Sequence, residues 1–236
     1  MRTLILVPTY NERENVKPIA EEILLANPAV EILFIDDNSP DRTAEVIEAM
    51  QSTMQPQAAK IHILKRPRKE GLGRAYLAGF AWGLARKFDC LVEMDADFSH
   101  RPVDLVSLRK AVDSGVDFAV GSRYVAGGST VNWGLLRKLI SRGGSLYARL
   151  ILGYPLHDWT GGFNAWRAST LERIGLSKVT SNGYSFQIEL KYRALREGFR
   201  GIEVPIVFEE RRVGKSKMSL KIVLEAFYRV WQIRCI

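Results

Sequence analysis

The sequence has 236 residues, of which 47% are hydrophobic and 25% charged, a composition typical of globular proteins. This length allows one α/β domain with a sizeable core, or two small domains. The net charge of +8 and the pI of about 9.6 favour acidic partners, namely nucleic acids, phosphorylated metabolites or anionic lipid headgroups. The sequence contains no run of roughly 18 to 20 apolar residues, which excludes a simple membrane-spanning helix.

The cysteines and the N-terminal segment indicate the compartment. Cys90 lies in an apolar run and is predicted to be a buried thiol, and neither a CxxC pair nor a disulfide framework is present. This pattern favours a reducing compartment. The apolar run at the N-terminus is broken by Pro8 and has no small-residue cleavage site, so it predicts a first strand rather than a signal peptide. We expect the protein in the cytosol or against a membrane surface.

Strand and helix patterns alternate through the first half of the chain. Apolar runs predict five strands, at Thr3–Val7, Glu31–Ile35, Ile61–Leu64, Cys90–Met94 and Phe118–Gly121. The intervening segments predict four helices, one capped by Asn15, one opened by Ser39–Pro40, and two at Arg74–Arg86 and Pro102–Asp113. Alternating units of this length predict an α/β fold in which a mostly parallel central sheet has helices on both faces.

The second half is less regular. The patterns predict a basic helix at Leu135–Leu152, a glycine-rich turn at Trp159–Phe163, a helix at Tyr184–Arg196 and a strand at Gly201–Phe208. Pro205 is tolerated in that strand only near an edge or a bulge. A basic loop at Arg211–Lys217 precedes a last helix from Ser219 onward. Because no linker separates these parts, we expect a single domain over residues 1–236.

Polar residues collect where the predicted strands end. The four strand ends concerned are Pro8–Glu12, Asp36–Asp37, Asp95–Asp97 and Ser122–Arg123. In open α/β sheets, ligands bind beyond the carboxyl ends of the strands. The sequence therefore predicts a ligand site at this rim.

Asp95 and Asp97 are the most informative of these residues. Residues two apart in an extended strand point to the same side, so both carboxylates are expected to face the rim while Ala96 points away. Two carboxylates in this arrangement suit a divalent cation such as Mg²⁺, which completes its shell with substrate phosphates and water. The alternative is a pair of solvated loop aspartates.

Other rim residues could contact a nucleotide. Tyr10 could stack on a base, Glu12 could accept from a ribose hydroxyl and Asp37 from a base N–H. Tyr10 could equally be a turn or core aromatic, and one of the two residues Asp36 and Asp37 is expected to serve turn chemistry. Gly71–Gly73 is a weak candidate for a phosphate cradle. The first strand–helix turn has no glycines, which disfavours a dinucleotide.

The motifs occur in an order that resembles a known family. They are PTYNE, DDNSPDRT, KEGLGRA, MDADFSH, GSRY, NW…LRKLISRG, TGGF and VGKSK, and together they cover nearly the whole chain. This series resembles the family 2 glycosyltransferases of GT-A fold, a Rossmann-like nucleotide-binding fold. It is most similar to the polyprenol-phosphate (dolichol-phosphate) mannose synthases.

The resemblance implies a donor, an acceptor and a metal ion. The donor is GDP-mannose, the acceptor is a polyprenyl or dolichyl phosphate in a membrane, and the cation is Mg²⁺ or Mn²⁺. The implied nucleoside contacts are Pro8, Tyr10, Glu12, Ile35 and Asp37. The diphosphate and metal contacts are Asp95, Ala96 and Asp97, with Ser99 as a further metal ligand. The implied phosphate contacts are Arg123 and Arg137 for the acceptor, and Arg211 and Lys217 for the donor.

The residue types agree with this reaction. A phosphate nucleophile is already an anion and needs no general base, and the three histidines, His62, His100 and His157, are expected to be structural or solvated. The reaction needs neutralisation of two phosphate groups, which a cation and basic side chains supply. The resemblance implies a catalytic set of Asp97, Arg123, Arg211 and Lys217. Direct displacement would convert an α-linked donor into a β-linked product.

A lipid acceptor implies contact with a membrane. The helix at Leu135–Leu152 and the last helix, within residues 211–236, mix bulky apolar with basic residues and could lie on the cytoplasmic face of a bilayer, or else pack in the core. The loop Arg211–Lys217 is expected to fold over the phosphates. The resemblance also allows for a membrane-anchoring partner subunit.

The sequence has two alternative interpretations. One is a polyprenyl-phosphate glucosyltransferase that uses UDP-glucose. The other is a basic nucleic-acid-binding domain, which the acidic strand ends and the lack of a nucleic-acid-binding motif argue against. We therefore expect no nucleic acid partner.

Overall fold

The computed structural model describes residues 1–54, 60–210 and 220–236, with side chains described up to residue 210 and from residue 227. The strands in these ranges are β1 Thr3–Thr9, β2 Val30–Asp36, β3 Ile61–Lys65, β4 Cys90–Glu93, β5 Phe118–Ser122, β6 Ser129–Thr130, β7 Asn164–Arg167, β8 Gly201–Pro205 and β9 Val207–Phe208. The helices are α1 Val16–Ala26, α2 Thr43–Thr53, α3 Leu72–Ala85, α4 Asp104–Asp113, α5 Leu135–Leu152, α6 Ala168–Arg173, α7 Gly183–Arg196 and α8 Leu220–Arg234.

Seven strands form the central sheet. Their order is β3-β2-β1-β4-β7-β5-β8, and all run parallel except β7, which pairs antiparallel to both β4 and β5. The short strands β6 and β9 pair with each other in parallel. The predicted mostly parallel sheet is confirmed.

Alternating residues of the strands divide the core into two layers. Ile5 and Val7 of β1 belong to the layer under α1, α2 and α4, whereas Leu4 and Leu6 belong to the layer that contains residues of α3, α6 and α7. Because side chains alternate across a strand, an uninterrupted apolar run serves both layers. The prediction of helices on both faces is therefore confirmed. Cys90 is buried, as predicted.

The antiparallel strand β7 was not predicted. It has only four residues, Asn164–Arg167, and follows the glycine-rich turn. Its place in the sheet depends on distant partners, because Asn164 Nδ2 and Trp166 Nε1 both donate to Glu93 Oε2 on β4, at 3.0 and 2.9 Å. Side chains of this kind carry no local strand signal.

The predicted strand Gly201–Phe208 is divided in two. β8 ends at Pro205 on the edge of the large sheet, the position predicted for this proline, and β9 pairs with β6 instead. The chain changes partner at Ile206, whose N–H still donates to Ser122 O while its carbonyl accepts from Ser129 N.

Two predicted helix starts lie too early in the chain, and one predicted helix cap does not form. α2 begins at Thr43 rather than at Ser39–Pro40, because the carboxylate of Asp41 accepts from both the N–H and the hydroxyl of Thr43. α4 begins at Asp104 rather than at Pro102. Asn15 makes no side-chain cap, because its backbone is already helical and its amide donates to Glu12 Oε2.

Helix α3 packs unusually close to the sheet. A Cβ atom added at Gly79 would lie 2.5 Å from Ile35 Cδ1 on β2 and 3.2 Å from Leu6 Cδ1 on β1. The missing side chain thus sets the spacing between α3 and the two strands that lead to the ligand rim.

We expect Gly79→Ala to lower the free energy of unfolding by about 1–3 kcal/mol, because an added methyl group overpacks this contact. Urea denaturation measures the change. The matched control is Gly143→Ala on the exposed side of α5, where an added Cβ meets nothing within 4 Å. That substitution should stabilise the protein, by up to about 1 kcal/mol. Equal stability of the Gly79→Ala variant and the unsubstituted protein would contradict the close packing.

Candidate active site

A cavity of about 320 Å³ opens beyond the carboxyl ends of β1, β2 and β4. It lies where the strand order reverses, because β2 and β3 are on one side of β1 and β4 is on the other. Ligands bind at such points in open α/β sheets. Its lining is drawn from four strand–helix connections and consists of Pro8, Thr9, Tyr10, Glu12, Asp37, Lys69, Gly71, Leu72, Ala75, Asp95, Ala96 and Asp97.

The cavity brings together most of the residues predicted for the donor. Of the predicted donor residues that the structure describes, Ile35 alone does not line the cavity, because its side chain is fully buried in the core layer under α3. Arg211 and Lys217 lie outside the described residues. The sequence reasoning missed Lys69, although it belongs to the KEGLGRA motif.

One end of the cavity combines an aromatic ring with charged groups. Lys69 Nζ lies 3.8 Å from the centre of the Tyr10 ring, which remains 37% exposed. Asp37 Oδ1 forms an ion pair with Arg66 Nη1 at 2.7 Å. Burial raises the pKa of the Asp37 carboxyl, and Arg66 opposes this effect. An exposed ring beside a buried carboxylate suits a base that stacks and donates N–H groups.

One of the two residues Asp36 and Asp37 serves turn chemistry, as predicted. Asp36 serves the turn, because its carboxylate accepts from the N–H and hydroxyl of Ser39 and from the hydroxyl of Thr9. Asp37 lines the cavity.

The acid pair lies on a bent segment rather than on a strand. β4 ends at Glu93, and Phe98 has a φ of 64°. Both Asp95 and Asp97 line the cavity as predicted, but Ala96 lines it too and does not point away. Side chains alternate strictly only along an extended strand, so the bend explains why the prediction for Ala96 was wrong. Asp97 Oδ1 accepts from Ser99 N at 3.0 Å, which closes the turn.

These residues fit a divalent cation. Two carboxylates share one cavity, and the buried hydroxyl of Ser99 has no hydrogen-bond partner among the described residues. In the described part of the chain no three His, Cys, Asp or Glu residues form a metal cluster. The protein therefore offers two hard oxygen ligands, the number with which Mg²⁺ is often held when phosphates and water supply the remainder.

His100 binds the backbone of the segment that carries Asp95 and Asp97, which we call the acid segment. Its Nδ1 accepts the backbone N–H of Asp95 at 3.1 Å, and its ring stacks on Phe163 at 4.7 Å and meets the edge of Phe208 at 5.2 Å. Burial lowers the pKa of His100 to about 4, so the ring is neutral at pH 7 and Nδ1 stays an acceptor. His100 is structural, as predicted, and it positions a predicted metal ligand.

Within the predicted phosphate cradle, Gly71–Gly73, one backbone N–H already has a partner in the protein. The N–H of Gly73, in the first turn of α3, donates to Asn182 Oδ1 at 3.0 Å, and Asn182 Nδ2 donates to Glu70 O at 2.9 Å. This amide therefore caps α3 from the connection that leads into α7. Gly71 and Leu72 still line the cavity.

A second polar cluster surrounds Arg123, which follows β5. Arg123 Nε and Nη2 each donate to Asp158 at 2.7 Å, and Nη2 also donates to Thr160 Oγ1 at 2.9 Å. Burial alone would lower the pKa of Arg123, but the Asp158 carboxylate outweighs it and raises that pKa. Among the described residues these bonds use Nε and Nη2, so Nη1 is the nitrogen through which Arg123 can donate to a ligand.

A buried lysine fixes the loop that holds Arg123. Lys191 Nζ donates to the carbonyls of Asp158, Trp159 and Gly161 at 3.1, 3.1 and 2.8 Å. Burial lowers its pKa to about 8. Nearby, burial raises the pKa of Glu93 to about 7, although three side chains donate to its carboxylate. The sequence reasoning singled out neither residue, because both are placed by contacts from distant elements.

Arg137 belongs to the same region. Its guanidinium lies 4.0 Å from the centre of the Trp133 ring, and its Nη1 donates to Glu210 Oε1 at 2.9 Å. The Arg123 guanidinium lies 5.4 Å from the same ring. We call Arg123, Trp133 and Arg137 the arginine cluster.

Phe208 connects the arginine cluster to the acid pair. Its ring meets Trp133 edge-on at 5.2 Å and His100 at 5.2 Å, and the Arg123 guanidinium lies 5.5 Å from its centre. The backbone of Phe208 also bridges to His100. Phe208 therefore contacts both the arginine cluster and His100, the residue that binds the backbone of the acid segment.

The chain is similar to one family profile and to several named proteins. The sequence profile described as Glycosyl transferase family 2 matches residues 4–175. Polyprenol monophosphomannose synthase of Mycolicibacterium smegmatis is 48% identical over 235 residues, which cover 99% of this chain and 88% of that protein. Undecaprenyl-phosphate mannosyltransferase of Micrococcus luteus is 47% identical over 98% of this chain and 93% of its own length. Dolichol-phosphate mannosyltransferase of Pyrococcus furiosus is 32% identical over 99% of this chain, which spans 64% of that protein.

Solved structures share the fold. The glucosyl-3-phosphoglycerate synthase from Mycobacterium tuberculosis in complex with Mn²⁺, uridine-diphosphate and phosphoglyceric acid superposes with a TM-score of 0.70 at 18% identity, over 99% of this chain and 78% of that chain. A further mycobacterial protein gives a TM-score of 0.69 at 19% identity, over 99% of this chain and 74% of that chain. At these identities the likeness concerns the fold alone, and the predicted GT-A fold is confirmed.

We expect His100→Leu to weaken Mn²⁺ binding about 10- to 100-fold, because loss of the acceptor for Asp95 N loosens the segment that presents the carboxylates. His100→Asn keeps a side-chain acceptor and should weaken binding less. Isothermal titration with Mn²⁺ in the presence of a nucleoside diphosphate measures both variants.

The control for this experiment is His62→Leu, which removes a hydrogen bond with Glu31 near the opposite ends of the strands. It should leave Mn²⁺ binding unchanged. Unchanged binding in the His100→Leu variant as well would show that His100 does not position the acid pair.

Proposed function

The chain belongs to glycosyl transferase family 2, and we propose that it transfers mannose from GDP-mannose to a polyprenyl phosphate, giving polyprenyl phosphate β-mannose and GDP. The observation that carries this proposal is that a cavity lined by two carboxylates is linked to an arginine cluster through the contacts of His100 and Phe208. The names of the two relatives that are 47% and 48% identical support both the mannosyl group and the lipid phosphate acceptor.

The cavity beyond β1 and β2 suits the nucleotide of the donor. The exposed ring of Tyr10 offers a stacking surface for the base, and the carboxylate of Asp37 can accept N–H groups that guanine presents. Lys69, over the Tyr10 ring, adds a positive charge for the diphosphate. Asp95 and Asp97 would hold Mg²⁺ or Mn²⁺, which when bound neutralises charge on the leaving diphosphate. Ser99 remains a predicted further ligand.

The arginine cluster suits the phosphate of the acceptor. Arg123 can donate through Nη1, and Arg137 lies at the start of α5 with its guanidinium fixed on Trp133. A phosphate oxygen forms the new bond to C1 of mannose while the bond from C1 to the donor phosphate breaks, and GDP leaves with the electron pair. Attack from the side opposite the leaving group inverts the α-linkage to β.

The acceptor phosphate needs no proton acceptor from the protein, because it is ionised at neutral pH. The nearest histidine to the acid pair, His100, is buried and neutral, and its Nδ1 is occupied by Asp95 N. The chain's contribution is instead to hold two anions together. We retain Asp97, Arg123, Arg211 and Lys217 as the proposed catalytic set, of which Arg211 and Lys217 lie outside the described residues.

Helix α5 supports contact with a membrane surface. Five of its leucines are largely exposed, at 54–80%, and they are Leu135, Leu136, Leu139, Leu146 and Leu150. Basic side chains alternate with them, at Arg137, Lys138, Arg142 and Arg149. Exposed apolar groups flanked by cations are typical of helices that lie on anionic lipid. No helix in the described residues has the length and apolarity needed to cross a bilayer. We therefore propose a peripheral position on the cytoplasmic face, with or without an anchoring subunit.

The decisive test of the activity is transfer of radiolabelled mannose. The purified protein should move label from GDP-mannose, with Mg²⁺ and polyprenyl phosphate, into the organic phase, and should do so far more slowly from UDP-glucose. Faster transfer from UDP-glucose would establish the glucosyltransferase alternative. No transfer from either donor would refute the proposed function.

In this assay, Asp97→Ala should lower turnover about 100-fold or more, equivalent to about 2.7 kcal/mol or more, because one of two carboxylates for the cation is lost. Asp113→Ala, a change at a partly exposed carboxylate at the end of α4, should retain normal turnover. Near-normal turnover in the Asp97→Ala variant would refute the metal assignment.

We expect Leu139→Gln combined with Leu150→Gln to reduce co-sedimentation with anionic lipid vesicles at least about tenfold, because burial of the two side chains in lipid is lost. The matched control is Leu25→Gln, a leucine on α1 that is 83% exposed. It should bind vesicles normally. Equal binding by the double variant and the control would exclude α5 as the membrane surface.

A further inference from the structure

We propose that Trp133 donates its indole N–H to the phosphate of the acceptor lipid, and is therefore a third binding residue of the arginine cluster. This inference rests on the proposed function, because it assumes that the cluster binds the acceptor. It concerns a residue whose aromatic ring alone would suggest a packing role.

The indole N–H of Trp133 is buried and unsatisfied. The residue is 7% exposed, and its Nε1 has no hydrogen-bond partner among the described residues. Buried N–H groups almost always have a partner, and one without an acceptor is a net cost to the folded state. A ligand that accepts this hydrogen bond would remove the cost when it binds.

The same ring organises the two arginines. Arg137 lies 4.0 Å and Arg123 5.4 Å from its centre, so two guanidinium groups are held near one indole. A ring face attracts cations, whereas the N–H at the ring edge attracts anions. Phe208, packed edge-on at 5.2 Å, limits rotation of the indole. Trp133 can thus fix both cations and the direction of its own N–H.

Arg137 has an unsatisfied group in the same place. Its Nε is also buried without a partner among the described residues, while Nη1 donates to Glu210 Oε1 at 2.9 Å. The contact with Glu210 shows that this side of the cluster already accepts an anionic group. A phosphate carries several acceptor oxygens, and one such group can satisfy N–H donors from two stacked side chains.

A second tryptophan provides a matched comparison. Trp159 Nε1 is likewise without a partner among the described residues, but Trp159 is fully buried, in the core layer that contains residues of α3 and α7. Its carbonyl is held by Lys191. Both tryptophans have an unsatisfied N–H, but only Trp133 lies beside the two arginines. Substitution of Trp159 therefore shows the effect of losing an indole N–H outside the arginine cluster.

The first experiment compares Trp133→Phe with Trp159→Phe in the transfer assay with a short-chain prenyl phosphate. Trp133→Phe keeps an aromatic ring beneath Arg137 and removes the N–H. We expect it to raise the acceptor KM about tenfold or more, equivalent to about 1.4 kcal/mol or more, with the KM for GDP-mannose unchanged. Trp159→Phe should change neither KM. The proposal would be overturned if Trp133→Phe left the acceptor KM unchanged. It would also be overturned if this variant raised the KM for the acceptor and the KM for GDP-mannose equally.

The second experiment uses the unsubstituted protein, so it does not depend on the folding of a variant. The protein has five tryptophans, whose indole N–H signals can be resolved by ¹⁵N labelling and assigned by single substitutions. Added prenyl phosphate should move the Trp133 N–H proton signal downfield and leave that of Trp159 in place. The prenyl alcohol of the same chain length should move neither. A Trp133 signal that does not respond to the phosphate, or that responds equally to the alcohol, would overturn the proposal.

These outcomes are distinct from failure of the proposed function. If the unsubstituted protein transfers mannose to the prenyl phosphate and Trp133→Phe behaves like it, only the role of Trp133 is wrong. If the unsubstituted protein transfers no mannose, the proposed function itself fails.

Discussion

Repulsion between like charges is the constraint on which this site depends. Asp95 and Asp97 line one cavity, and the chain must hold their carboxylates together although they repel each other. Backbone hydrogen bonds help to hold this segment: His100 Nδ1 accepts from Asp95 N, and Ser99 N donates to Asp97 Oδ1. In the proposed function, a cation held by these two carboxylates would offset their charge, so that the cavity could receive an anionic diphosphate.

The opposite problem arises at the arginine cluster, where two cations lie near one ring. Asp158 neutralises Arg123 from one side, and the loop that carries Asp158 is held in turn by the three carbonyl contacts of Lys191. Because Lys191 and Glu93 are buried, their pKa values of about 8 and 7 lie close together, and their charges depend on the network around them. A layer of buried polar groups therefore supports the residues of the ligand rim.

Phe208 joins these two halves. It is in contact with His100 on the acid side and with Trp133 on the basic side, and it lies on a strand of two residues that leaves the large sheet. Such a strand has little stability of its own, so its position depends on the aromatic contacts and on pairing with β6. The contact that links the acid segment to the arginine cluster therefore depends on ring packing.

The sequence by itself determined the alternating strands and helices, the rim residues and the family, because apolar runs, strand-end polar residues and ordered motifs are local signals. It predicted that Tyr10, Glu12, Asp37 and the segment 95–97 share one site, since parallel strands end on the same edge. Only the tertiary structure decided the antiparallel insertion of β7, the capping of α3 by Asn182, and the contacts of Lys191 and Trp133. Each of these depends on contacts between residues far apart in the chain, and no local pattern records such a contact.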